Sequence, residues 1–182
     1  MVEKQEIKHF SRLQIKYFDT SFKMHYGFFK NIGKGVNKLG RYQHTVDSKG
    51  RMFIPAKIRD DLGKRVYITQ SLDAACLSGY TPEQFGFIKE QLSQLSSTDP
   101  VVRTLKREIL GEAILCDMDA QGRVSISEEL WKDIGVANND DVYVIYLYDK
   151  FEIWSKTAYD LEREAAGSKL SEDLSKYDIK GI

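Results

Sequence analysis

Two short runs in the chain combine residue types that could do chemistry. One is Asp47-Ser48-Lys49-Gly50-Arg51, and the other is Asp119-Ala120-Gln121-Gly122-Arg123. An aspartate at the start of a turn is suited to accept backbone amide hydrogens, and a glycine near its exit accepts positive φ. Asp47, Gly50, Asp119 and Gly122 are therefore expected to organise two turns. The residues left to project are cationic or polar. Lys49 is a compact point charge suited to a phosphate, whereas Arg51 is a planar fork that can grip guanine O6 and N7, or a phosphate, with two bonds. Asp47 would repel a phosphate, so it is assigned to the turn and to orienting Arg51. Arg41, His44, Lys57 and Arg59 lie close in sequence and are candidates for backbone contacts, His44 as a cation or as a neutral donor. In the second run Gln121 stands where the first has Lys49. Two readings of Arg123 stay open: a DNA contact like Arg51, or a structural ion pair with Asp119 or contact between subunits.

Other chemistries find little support. His9, His25 and His44 have no metal-ligand spacing with one another or with Cys76 and Cys116, which form no CxxC. The two thiols are expected to be reduced and partly buried. Gly33-Lys34-Gly35-Val36-Asn37-Lys38-Leu39-Gly40 matches neither a P-loop nor a dinucleotide fingerprint, and no nucleophile elbow is present. No metal, cofactor or enzymatic activity is expected.

The chain has 182 residues, 42% hydrophobic and 30% charged, with a net charge of zero. The balance hides a gradient. Residues 1–38 hold 8 Lys/Arg against 3 Asp/Glu, and residues 39–65 hold 7 against 3. Residues 66–110 hold 4 against 5, and residues 111–182 hold 8 against 16. An anionic partner should meet the first half. The charged opening Met1-Val2-Glu3-Lys4-Gln5-Glu6 does not resemble a signal peptide, and no apolar run approaches the roughly 20 residues of a membrane span. The expected location is the cytoplasm.

The elements that position the two runs come from a repeat. At an offset of 72 residues, Asp47, Gly50, Arg51, Ile54, Asp61 and Gly63 fall on Asp119, Gly122, Arg123, Ile126, Asp133 and Gly135. Ile58 and Leu62 fall on Leu130 and Ile134. A four-residue insertion near Val136–Asn139 follows, after which 66–73 lies over 142–149. One such motif could arise by chance, but two with the same downstream order mark a duplication. Each unit reads as a strand, the turn, a short strand (Met52–Ile54 or Val124–Ile126), a helix opened by Pro55 or Ser127 and stopped by Gly63 or Gly135, a strand (66–70 or 142–148), and a last strand (Ala75–Ser78 or Phe151–Trp154). Thr81-Pro82 and Asp99-Pro100 start helices, with apolar positions at Phe85, Ile88, Leu92, Leu95 and at Val101, Val102, Leu105, Ile109. Ser155–Glu164 is the counterpart helix. Tyr143, Tyr146 and Tyr148 are expected in the strand, serving core and subunit interface rather than base stacking.

Residues 1–38 stand outside the repeat and are rich in Lys, Phe and Tyr. They read either as a basic arm or as sequence upstream of a true start near Leu39. The second reading is preferred, because Leu can be encoded by TTG and Lys34-Gly35-Val36 by a ribosome-site-like AAGGGGGTN. The polar tail is expected to be weakly ordered. The layout is then a basic extension at 1–38, a first unit at 39–85, connecting helices at 86–110, a second unit at 111–160 and a tail at 161–182.

The paired D-x-x-G-R runs, the leading Gly40–Asp47 segment, and the segments Cys76–Thr81 and Phe151–Ser155 resemble the bacterial MraZ family. The resemblance covers about 39–165 and places the chain with the SpoVT/AbrB-like swapped-hairpin DNA-binding proteins. It implies an α+β, β-rich fold of two swapped-hairpin barrel halves with peripheral helices, related by a pseudo-two-fold within the chain. It also implies a ring-shaped homo-oligomer, an octamer or similar. The family regulates the division and cell-wall gene cluster and binds short direct repeats of double-stranded DNA in its own promoter. Lys49, Arg51, Arg123, Gln121, Arg41 and His44 are then the expected DNA contacts. The extension at 1–38, Gln121 and the acidic second half depart from the family pattern.

Overall fold

The computed structural model describes residues 39–72 and 74–167; the expectations for residues 1–38 and for the tail beyond 167 fall outside it. The first repeat runs β1 (Gly40–Thr45), β2 (Arg51–Phe53), α1 (Ala56–Leu62), β3 (Arg65–Gln70) and β4 (Cys76–Tyr80). Then come α2 (Pro82–Ser93), α3 (Pro100–Lys106) and a π-helical turn at Arg107–Gly111. The second repeat runs β5 (Ile114–Asp117), β6 (Arg123–Ser125), α4 (Glu128–Asp133), β7 (Asp141–Tyr146) and β8 (Phe151–Ser155), and α5 (Lys156–Gly167) follows. The architecture is mixed α+β and sheet-rich.

Local chemistry sets the boundaries. In β2 and β6, Met52 and Val124 point inward and are fully buried, while their neighbours face out. In α1 the i, i+4 pair Ile58 and Leu62 is buried, and Gly63 (φ 73°) donates its N–H to the Arg59 carbonyl. In α4 the Ser127 hydroxyl accepts from the Leu130 N–H, and Leu130 and Trp131 are buried. Thr81 and Gln84 form a reciprocal capping box ahead of α2, with Pro82 in the first turn. Asp99 caps α3 through the Val101 N–H.

The structure departs from the expected boundaries in several places. β2 and β6 each lie one residue earlier than the expected Met52–Ile54 and Val124–Ile126, because Arg51 and Arg123 enter the pairing of the two strands. α2 ends at Ser93, short of the expected Leu95. β4 starts one residue later than expected and runs on to Tyr80, because it pairs with both β3 and β8 along its length. Ile109 falls in the π-helical turn rather than in the α-helix that Val101, Val102 and Leu105 begin. β7 ends at Tyr146, so Tyr148 lies in the following turn at φ 67°. Tyr143 and Tyr146 are buried, while Tyr148 is half-buried against the core.

The topology is what brings the two turns into play. One sheet has the order β1-β7-β8-β4-β3-β5, and a second has β2 beside β6, all pairs antiparallel. Exchanging the repeats turns the six-stranded order into its own reverse. β1 thus pairs with a strand of the other repeat, as do β5 and β2. The register is kept as well: Thr45 faces Asp141 at one edge, and the equivalent pair Asp117 and Arg65 face each other at the other edge. A single core results, with Met52, Ile54, Ile58 and Val66 packed among Val124, Ile126, Leu130 and Val142. A satellite cluster of Cys76, Tyr143 and Trp154 sits beneath Ala158 and Tyr159 of α5.

Candidate nucleic-acid interface

Each turn is built the same way. The Asp47 N–H donates to the Arg51 carbonyl (2.8 Å), and the Gly50 N–H donates to the Asp47 carbonyl (3.0 Å). The same bonds in the second turn, Asp119 to Arg123 and Gly122 to Asp119, are both 2.9 Å. Gly50 and Gly122 adopt φ of 70° and 83°, a region that strains any side chain. The Asp47 Oδ1 accepts from the N–H groups of Lys49 (2.8 Å) and Arg51 (3.0 Å). The Asp119 Oδ1 accepts from those of Gln121 and Arg123, both at 2.9 Å.

The other carboxylate oxygen holds the arginine. Arg51 directs Nε (2.8 Å) and Nη2 (2.7 Å) to Asp47 Oδ2. Arg123 directs Nε (2.7 Å) and Nη2 (2.7 Å) to Asp119 Oδ2. This grip uses the side edge of the guanidinium and fixes its plane. Among the described residues nothing takes the end edge, Nη1 with the second hydrogen of Nη2, which suits another acceptor. The bond from the Arg51 side chain is the main reason the Asp47 carboxyl is held down to about 2. Asp119 is lowered too, chiefly by the Arg123 backbone N–H. Because both arginines carry the same ion pair, the pair does not distinguish a reading arginine from a structural one.

β2 and β6 carry the two arginines onto one ribbon. Arg51 faces Ser125, and Phe53 faces Arg123. Phe53 is exposed, and the Arg123 guanidinium lies 5.9 Å from its ring centroid. The two turns are tied across the ribbon by Ile54 N–H to the Gly122 carbonyl (2.9 Å) and Ile126 N–H to the Gly50 carbonyl (3.2 Å). Lys49 and Gln121 are exposed at the tips.

The structure does not bring every expected contact to this ribbon. Arg41 stacks on Tyr143 (4.4 Å) and Tyr159 (5.3 Å), and its place in β1 puts it about 20 Å of extended chain from Asp47. His44 is half-buried, and its pKa is lowered, first by burial and then by the Arg59 charge. It therefore enters neutral solution as an uncharged donor and acceptor rather than as a cation.

Three supports lie outside the motifs. The Trp131 indole N–H donates to the Gly50 carbonyl (3.0 Å). The Asn138 amide, from the four-residue insertion, donates to the Ser48 carbonyl (3.3 Å). The Arg59 guanidinium lies against the Cα of Gly122, where a Cβ would collide with it. Arg59 and Trp131 occupy the same repeat position, 72 residues apart. What the offset could not reveal is that each lands on the other repeat's glycine.

Among the described residues there is no group of His, Cys, Asp or Glu that could hold a metal ion. Both cysteines are buried. Cys116 donates to the Ser125 carbonyl (3.1 Å), and burial pushes its thiol up to about 11. Among the described residues no helix is long and apolar enough to cross a membrane.

Fold and site together define a duplicated hairpin-and-helix protein that presents two arginine-bearing turns on one ribbon. Comparison with known proteins agrees with the duplication. The family model described as "MraZ protein, putative antitoxin-like" matches twice, over residues 39–108 and 109–175. The chain is 37% identical over 135 residues to the "Transcriptional regulator MraZ" of Caldicellulosiruptor bescii, covering 74% of this chain and 91% of that protein. It is 35% identical over 144 residues to the protein of the same name from Caldanaerobacter subterraneus subsp. tengcongensis, covering 78% and 99%. A third, from Ligilactobacillus salivarius, is 31% identical over 144 residues, covering 78% and 99%. The chain belongs to the MraZ family.

Proposed function

We propose that this protein is a non-enzymatic, sequence-specific DNA-binding transcriptional regulator whose readers are the two D-x-x-G-R turns. The observation that carries this reading is the pair of arginines, each fixed in plane by its own aspartate with the end edge of the guanidinium available. That edge suits guanine O6 and N7 in the major groove. Lys49 adds a phosphate contact beside Arg51. Asp47 and Asp119, with Gly50 and Gly122, hold the turns, and Gln121 offers a neutral contact at the second tip. The names of the relatives support the regulatory role. The family resemblance further suggests short direct repeats in the protein's own promoter, upstream of a division and cell-wall gene cluster, and a cytoplasmic, nucleoid-associated location.

The cross-paired repeats are read as the two halves of a swapped-hairpin barrel. A ring of identical subunits would multiply a modest set of cations into useful affinity, because linked sites gain by effective concentration. Exposed apolar residues such as Leu72, Val101 and Leu161 supply surface for contacts between copies.

The test is a gel-shift titration of the full chain on its own upstream region and on scrambled DNA, at two salt concentrations, beside Arg51→Ala and Arg123→Ala. Wild type is expected to favour the repeat-containing fragment, and Arg51→Ala to lose that preference while the oligomer stays intact by light scattering. Binding by Arg51→Ala equal to wild type would remove the first turn as reader.

A further inference from the structure

The two turns differ in what braces them, and the difference follows charge. Position 49 of the first turn is lysine, and its brace, Trp131, is neutral. Position 121 of the second turn is glutamine, and its brace, Arg59, is a cation delivered from the first repeat. Each turn therefore ends with two cationic groups beside it, Lys49 with Arg51 and Arg59 with Arg123. We propose that Arg59 is a phosphate contact of the second turn, taking from the other repeat the part that Lys49 plays in the first. This inference rests on the DNA-binding reading above.

The geometry fits a phosphate better than a base. Arg59 Nε donates to the Ile54 carbonyl (2.7 Å), which pins the guanidinium against Gly122. Its Nη groups have no hydrogen-bond or ion-pair partner among the described residues, and no carboxylate there lies within ion-pair distance of it. The charge is left uncompensated, and neighbouring His44 registers it as a further lowering beneath that from burial. Arg59 sits beside the turn rather than at its tip, so it meets the backbone flanking whatever base Arg123 reaches. Gly122 is needed twice over, for its positive φ and for the space the guanidinium fills. A second turn so equipped can approach DNA although residues 111–182 are strongly acidic.

Salt dependence tests this directly. Each phosphate contact contributes about −0.9 to the slope of log affinity against log salt, or roughly a threefold change in affinity between 50 and 200 mM. Full-length Arg59→Gln is expected to flatten the slope by about 0.9 per engaged second turn. It should leave the ratio of specific to scrambled binding unchanged. Adding Gln121→Lys to Arg59→Gln should restore the slope, which a merely structural role for Arg59 would not allow. Should Arg59→Gln melt early, Arg59→Met, which keeps the length and packing of the side chain without its charge, replaces it and is expected to flatten the slope by the same amount, a wild-type slope counting against the contact. A wild-type slope in Arg59→Gln, beside an Arg51→Ala that no longer binds, overturns this inference and leaves the parent reading standing. If wild type itself prefers no sequence and Arg51→Ala changes nothing, the parent reading falls and takes this one with it.

Discussion

Asp47 is exposed enough to exchange its partners for water, yet both of its oxygens are engaged within five residues of chain. The ionised form collects those bonds, so folding favours it. The folded carboxyl is held near 2 against 3.8 in the unfolded chain. Its contribution to stability is therefore complete above pH 3.8 and is lost as pH falls through about 2. Carbon-13 titration of the Asp47 carboxyl should give a midpoint near 2; a midpoint near 3.8 would mean that Arg51 is not held in solution. His44 works in the opposite sense. Its folded pKa lies below 6.5, so the folded state resists protonation and loses stability as pH drops below that value. Burial is the larger cause and Arg59 the smaller. Arg59→Gln should raise the His44 ring midpoint in NMR titration but leave it under 6.5, and no movement at all would show that Arg59 does not sit beside it. At this scale the sequence was informative about the turns themselves. D-x-x-G-R implies an aspartate bonding its own loop, because each bond is local. It was uninformative about Arg41 and Arg59, whose partners Tyr143 and Gly122 are far away in the chain.

Elements follow the same division between local and distant causes. The starts of α2 and α3 were legible, because Thr81-Pro82 and Asp99-Pro100 satisfy helix N-termini from adjacent residues. The end of the second was not. Apolar periodicity continues through Ile109, but the chain changes to a π-helical turn at Arg107–Gly111. Thr69 of β3 reaches the Ile109 carbonyl there at 3.5 Å, a long contact from an element with no sequence proximity. Strand β4 contains the most demanding close approach. A Cβ on Gly79 would collide with the far end of the Phe151 ring, its register partner on β8. Phe151 is fully buried and has no room to retreat. Gly79→Ala should cost about 1–3 kcal/mol by overpacking. The measurement is a urea titration, in which the midpoint should fall with little change in slope. Phe151→Leu added to Gly79→Ala should recover part of the loss, and a Gly79→Ala chain as stable as wild type would place the ring elsewhere.

At the scale of the molecule, duplication was legible from the paired motifs, but the pairing of strands was not, since periodicity does not name a partner. The structure answers by exchange: β1 pairs with β7, β5 with β3, and β2 with β6. Either repeat alone would leave these edges open and half of the core exposed. In principle two copies of one repeat could pair with each other across the same pseudo-axis. The β4–β8 seam argues against it. Thr81 and Ser155 are equivalent caps, which makes Leu77 the counterpart of Phe151 and Gly79 the counterpart of Ile153. In the chain Gly79 faces Phe151 and Leu77 faces Ile153, so volume is balanced at both places. Two first repeats would set Gly79 against Leu77 twice and leave holes. Two second repeats would set Ile153 against Phe151 twice and overpack. The repeats have diverged to fit each other. Residues 1–108 and 109–182, produced separately, are therefore expected to lack cooperative thermal unfolding, while the mixture should regain the sheet signal in circular dichroism and elute as a one-to-one complex. Cooperative unfolding of either piece alone near the melting temperature of the whole chain would show that the exchange of strands is not required for folding.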